Sequence, residues 1–122
     1  MAKEIRVLYA DDEESLRVLV KSHLESEGFT VDAVDDGDTA VKALKNKAYD
    51  LALLDIRMPR MNGVEVLRYI RKNTPLVRVI ILTAVDDLAI AIEAVKNGAN
   101  DYLTKPYDPE NLVRSIRRVM AK

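Results

Sequence analysis

Leu51-Ala52-Leu53-Leu54-Asp55-Ile56-Arg57-Met58-Pro59-Arg60-Met61-Asn62-Gly63 carries an apolar run into a single carboxylate, then breaks into a loop punctuated by Pro and Gly. A short, continuous apolar run bounded by turn signals reads as a strand buried on both faces. Asp55 stands where that strand ends, and in open α/β sheets ligands and chemistry gather at that end. A carboxylate there is equally consistent with a helix cap or a solvated loop. Its neighbours in the fold have to decide.

Upstream, Ile5 to Ala10 is a second strand-like run and ends abruptly in Asp11-Asp12-Glu13-Glu14. Leu16, Leu19, Val20 and Leu24 then recur at helical spacing up to Gly28. Thr30 to Val34 is a short strand interrupted by Asp32, which suits a sheet edge, and Asp36-Gly37-Asp38 turns into a helix with Ala40, Val41 and Leu44. Downstream, Val64, Val66, Leu67 and Ile70 mark a helix stopped by Asn73-Thr74-Pro75. Val77 to Leu82 is a further apolar strand, and Asp86-Asp87 is placed to cap a helix bearing Leu88, Ile92 and Val95. Asp101 to Thr104 forms the last short strand. The final helix opens with Asp108 as cap and Pro109 at its first position, and Leu112, Val113, Ile116 and Val119 supply its inner face.

Strand and helix thus alternate five times, without a linker or repeat. This predicts one α/β domain over residues 1–122: a (βα)5 doubly wound parallel sheet of flavodoxin-like strand order 2-1-3-4-5. The most apolar strands fall at the centre and the polar second and fifth at the edges. The chain has 122 residues, 48% hydrophobic and 32% charged, which suits a single globular core. Its net charge of −1 gives no global bias toward nucleic acid or acidic lipid, and no nucleic-acid reading motif is present. Cysteine is absent, which excludes disulfide and thiol chemistry. No signal-peptide core or membrane-length apolar run occurs, and a cytoplasmic location is expected.

Parallel strands end on one edge, so Asp11 and Asp12, Asp55, Thr83 and Lys105 should converge there. Clustered carboxylates repel unless protonated or bridged by a cation, and an all-oxygen site with few protein ligands suits Mg²⁺, with Mn²⁺ as a substitute. Lys105 adds a point positive charge fitted to a phosphate oxygen, and Thr83 adds a hydroxyl. Together they describe phosphoryl transfer, where positioning and charge neutralisation supply most of the catalysis. Singly, each has a plainer reading: helix-end acids, a β-forming threonine, a solvated lysine.

Asp11-Asp12, Asp55 with Met58-Pro59 and Gly63, Thr83-Ala84 and Lys105-Pro106 stand in an order and spacing that resembles a response-regulator receiver domain. That is the phosphoacceptor half of two-component signalling, and the likeness covers essentially the whole chain. It implies that Asp55 is phosphorylated, and that Asp12, Asp55 and the Arg57 carbonyl hold Mg²⁺ with help from Asp11. Lys105, the Thr83 hydroxyl and the Ala84 amide would contact the phosphoryl group, and the Lys105-Pro106 peptide would be cis. The implied donor is a phosphohistidine on a sensor histidine kinase or phosphotransfer protein. Such a chain is not an enzyme toward other molecules; it catalyses only its own phosphorylation and dephosphorylation.

The resemblance also implies a switch in which Thr83 moves toward the phosphoryl group and Tyr102 turns into the space it leaves. The output surface would then be the fourth helix, fifth strand and fifth helix, including Lys96, Tyr102, Arg114, Arg117 and Arg118. Arginines in that position are more often simply a solvated helix face that complements the negative helix end. A downstream effector, a covalently linked output domain or a phosphorylation-dependent homodimer would use that surface. Residues 98–108 resemble receivers joined to enhancer-binding transcription activators, so excision from a longer regulator fits as well. Arg57 and Val85 occupy positions that tune the lifetime of the phosphorylated state, and slow autodephosphorylation is expected.

Rival readings are weaker. A flavin or nucleotide module would need a Gly/Ser/Thr-rich loop after the first strand, where this chain has four acids. A haloacid-dehalogenase-like phosphatase would carry a second acid two residues after its nucleophile, where this chain has Arg57. A receiver-like module that signals by binding alone would not need the complete acid, hydroxyl and lysine set. His23 reads as a partly exposed helix residue. Tyr9, Tyr49, Tyr69 and Tyr107 form no constellation in the sequence, and Met58 and Met61 read as loop packing.

Overall fold

Alternate residues of the opening strand part company across the sheet. In the computed structural model, which describes residues 4–121, Leu51 and Leu53 join Val7, Tyr9, Ile80 and Leu82 in one apolar cluster. Ala52 and Leu54 join Leu8, Ala10, Val79 and Ile81 in another. A strand with helices on both sides has no polar face, which is why residues 51–54 read as one unbroken apolar run.

The elements are β1 (Arg6–Ala10), α1 (Glu14–Ser26), β2 (Thr30–Val34), α2 (Gly37–Asn46), β3 (Leu51–Asp55), α3 (Gly63–Asn73), β4 (Arg78–Thr83), α4 (Leu88–Lys96), β5 (Asp101–Thr104) and α5 (Pro109–Met120), with a 3₁₀ turn at Val85–Asp87 before α4. All pairings are parallel and the order is β2-β1-β3-β4-β5, as the alternation predicted. Helices α1 and α5 bury Val20, Leu24, Leu112, Ile116 and Val119 on one face, while α2, α3 and α4 cover the other.

Local chemistry sets the helix starts. The Asp108 side chain accepts the Glu110 amide at 3.0 Å ahead of Pro109. Asn62 and Glu65 form a reciprocal capping box at α3. Gly63, the first residue of α3, sits so close to β3 that a Cβ there would lie 2.4 Å from the Asp55 carbonyl oxygen. Only a glycine lets α3 begin directly behind β3.

Three expectations need correction. Leu19 does not belong to the inner face of α1 and is 57% exposed, because the inner face runs through Val20 and Leu24 and successive residues are about 100° apart. Ile92 points outward from α4 at 41% exposed; the buried residues of α4 are Ala91 and Ala94, so that helix lies on the sheet through small side chains. Asp87 makes no capping bond to α4, because its carboxylate is taken by Arg57.

Candidate functional site

Asp11, Asp12 and Asp55 meet at the carboxyl edge of the sheet, each offering an oxygen within 4.8 Å of the others. Asp55 is the last residue of the central strand and shares the odd-numbered face with Leu51 and Leu53. It is nearly buried, Asp11 is fully buried, and Asp12 is exposed. Lys105, just past β5, reaches back across the edge. Its Nζ lies 3.1 Å from Asp11 Oδ2 and 3.1 Å from Asp55 Oδ2. The Lys105 amide also donates to the Thr83 carbonyl at 2.7 Å, which ties this loop to β4. The Lys105–Pro106 peptide is cis.

Electrostatics follow from this crowding. Burial pushes the Asp55 carboxyl up to about 6, with Asp11 adding to the rise and Lys105 opposing it. Burial alone would lower the Lys105 ammonium, but Asp55 and Asp11 outweigh it and hold it above its ordinary value. Three carboxylates face one ammonium, so the site carries excess negative charge in an oxygen-only donor set. That composition fits Mg²⁺, a hard cation that takes few protein oxygens and keeps waters. Asp11, Asp12 and Asp55 are the carboxylates that could hold it. An open pocket of about 480 Å³ adjoins them, lined in part by Asp12, Arg57, Met58 and Asn62.

Thr83 is fully buried at the end of β4, and its hydroxyl donates to the Ala84 carbonyl at 3.0 Å. Ala84 and Val85 are exposed at the rim. Tyr102 is half-buried against the α2/α3/α4 cluster and pairs with Ile81 in register, two residues before Thr83. It therefore lies on the same side of the sheet as Ile81.

Arg57 forms a two-bond fork on Asp87, with Nε to Oδ2 at 2.8 Å and NH2 to Oδ1 at 2.6 Å. The fork joins the β3–α3 loop to the turn before α4, on either side of Asp55. Nothing local in the sequence links residues 30 positions apart. On α5, Arg118 donates to Asp101 at 2.6 Å. Arg117 belongs elsewhere than the expected output surface: it pairs with Glu27 at 3.4 Å and lies over the Phe29 ring, on the α1 side.

Two tyrosines read as plain packing have polar work. Tyr49 donates to Asp32 at 2.7 Å, and Tyr9, fully buried, donates to Asp11 Oδ2 at 3.1 Å. Strand periodicity was the available signal: Tyr9 precedes Asp11 by two, so both point to one face and the phenol reaches along it.

The family description "Response regulator receiver domain" matches residues 7–117. The chain is 36% identical over 121 residues to the transcriptional regulatory protein ResD of Bacillus subtilis, covering 98% of this chain and 49% of that protein. It is 40% identical over 113 residues to the response regulator protein PmrA of Pseudomonas aeruginosa, covering 93% and 51% respectively. It therefore spans about half the length of these curated relatives. The receiver domain of the Francisella response regulator 1452 has a TM-score of 0.89 to it at 31% identity, covering 97% of this chain and 98% of that one.

Proposed function

Because the chain belongs to the response regulator receiver domain family of two-component signalling, we propose that Asp55 is its phosphoacceptor and the α4–β5–α5 surface its readout. The observation that carries this is the Lys105 ammonium set equally, at 3.1 Å, on Asp55 and Asp11 beside the third acid. A fixed cation at the end of a rigid buried strand is what a gathering phosphoryl charge requires.

In the proposed reaction a phosphohistidine of a kinase or phosphotransfer protein meets the exposed rim. An Asp55 carboxylate oxygen bonds to phosphorus as the donor P–N bond breaks, and the electron pair stays on the imidazole nitrogen. Lys105 keeps its bond to Asp55 and takes up the phosphoryl oxygens, while the Ala84 amide and Thr83 hydroxyl donate to them. Mg²⁺, held by Asp12, Asp55 and the Arg57 carbonyl, would neutralise charge on those oxygens. Water later hydrolyses the acyl phosphate. Val85 has no group to orient that water and the Arg57 guanidinium is engaged with Asp87, which supports slow decay.

To serve Asp55, the Thr83 hydroxyl has to leave the Ala84 carbonyl, and Tyr102 is placed on the face where that change is felt. Readout then passes to an effector, a linked output domain or a second copy, in a cytoplasmic setting. Among the described residues no helix is long and apolar enough to cross a membrane. Asp55→Asn should abolish Mg²⁺-dependent labelling by acetyl phosphate, read by intact mass. Undiminished labelling of that variant would overturn the assignment.

A further inference from the structure

Asp11 receives more bonds than a cation ligand needs. Its Oδ1 accepts the Glu13 amide at 2.9 Å, and its carbonyl accepts Arg17 NH1 at 2.8 Å. Its Oδ2 accepts two donors at once, the Tyr9 hydroxyl at 3.1 Å and Lys105 Nζ at 3.1 Å. Both Tyr9 and Asp11 are fully buried, which shields the bond between them from bulk water. Behind Tyr9 lies Tyr107, whose hydroxyl is buried without a hydrogen-bond partner. Burial raises both phenols above the ordinary tyrosine range, and Tyr107 raises Tyr9 further.

We propose that Tyr9 is a positioning residue for the acidic site, which by donating to Asp11 Oδ2 keeps Lys105 shared between Asp11 and Asp55. The inference rests on the phosphoacceptor reading and extends it one residue into the core. A carboxylate oxygen buried with two donors divides its charge between them. Remove the hydroxyl, and Oδ2 has Lys105 alone. The ammonium is then drawn toward Asp11 and away from the oxygen that has to receive phosphorus, and the unspent charge on Asp11 attracts a cation more strongly. The same hydroxyl holds Asp11 in one rotamer, which fixes how far its Oδ2 stands from Asp12 and Asp55.

Tyr9→Phe keeps the ring and removes only the donor. In the full chain, the rate of labelling by acetyl phosphate at saturating Mg²⁺ should fall roughly two- to tenfold, the range of one ordinary net hydrogen bond. Mg²⁺ affinity, titrated by calorimetry without a phosphodonor, should rise by a similar factor. Both changes should vanish when Tyr9→Phe is made in an Asp11→Asn background, because the effect passes through that carboxylate. A packing role predicts the same Tyr9→Phe effect in both backgrounds, and that result would overturn the proposal. So would a variant with wild-type labelling and wild-type Mg²⁺ affinity. If the parent chain takes no label at Asp55, the phosphoacceptor reading fails, while the Mg²⁺ titrations still decide whether Tyr9 acts on Asp11.

Discussion

Helices α4 and α5 both flank β5, yet they are held in different ways. Helix α5 inserts Leu112, Val113, Ile116 and Val119 into the core, begins at a side-chain cap, and is latched to β5 where Ser115 and Arg118 both reach Asp101. Helix α4 buries only Ala91 and Ala94, has no side-chain cap, and leaves Ile90 and Ile92 about two-fifths exposed. Its entry turn is tied by one exposed arginine, Arg57, on Asp87. The apolar area an alanine removes from water is small, so α4 has little to lose by shifting. The less anchored helix is also the one whose entry turn borders Asp55. If phosphorylation at Asp55 shifts an element, as proposed, light packing makes α4 the one that moves at least cost.

The comparison is broken most directly by truncation. Ile116→Ala should cost about 3 kcal/mol in urea unfolding, as expected for a fully buried isoleucine, whereas Ile92→Ala should fall within about 0.5 kcal/mol of the parent. Equal costs would mean that the two helices are anchored alike.

Acid should release the polar latch of α5 next. Burial alone would raise the Asp101 carboxyl, but Arg118, Ser115 and the Tyr102 amide outweigh it and hold it below the ordinary value. A depressed native pKa contributes stability that is complete above the unfolded value, near 4, and is lost as pH falls through the native one. The parent should therefore lose stability below about pH 4 more steeply than Asp101→Asn, as followed by thermal melts across pH. Parallel curves would remove Asp101 from the latch.

The smallest effect on global stability, and the sharpest on α4, belongs to Arg57. Arg57→Asn combined with Val85→Glu should lower the urea midpoint only modestly, since the Arg57 half of the pair is exposed and screened although the Asp87 carboxylate is buried. It should raise hydrogen exchange in α4 and speed loss of the Asp55 phosphoryl group. Unchanged exchange in α4 would show that the fork does not hold that helix, and unchanged decay would remove both residues from lifetime control.

Much of this was legible in the sequence, for reasons that differ by residue. The apolar runs of β3 and β4, the latter broken only by Arg78, placed them centrally, and Asp32 placed β2 at an edge. Parallel strands share an edge, so Asp11, Asp12, Asp55 and Lys105 could be brought together without knowing a single distance. The facing of α4 could not be read the same way. Leu88-Ala89-Ile90-Ala91-Ile92 is apolar on every side, and only the closeness of the sheet selects the alanines over the isoleucines. Arg57 and Asp87, and Arg117 and Glu27, meet through tertiary packing across 30 and 90 residues, where no local pattern can point. Tyr9 was within reach: its two-residue offset from Asp11 puts both on one strand face.

The alternation of β3 and its neighbours has a longer consequence. Tyr9 and Asp55 lie on the face of the sheet covered by α1 and α5, while Tyr102 and the alanines of α4 lie on the other. Tyr9 and Asp55 thus draw on one cluster and Tyr102 and the alanines of α4 on the other, while α5, part of the proposed readout surface, packs on the Asp55 side. The strand's period of two thus lets a substitution beneath α4 leave the packing behind Asp55 in place.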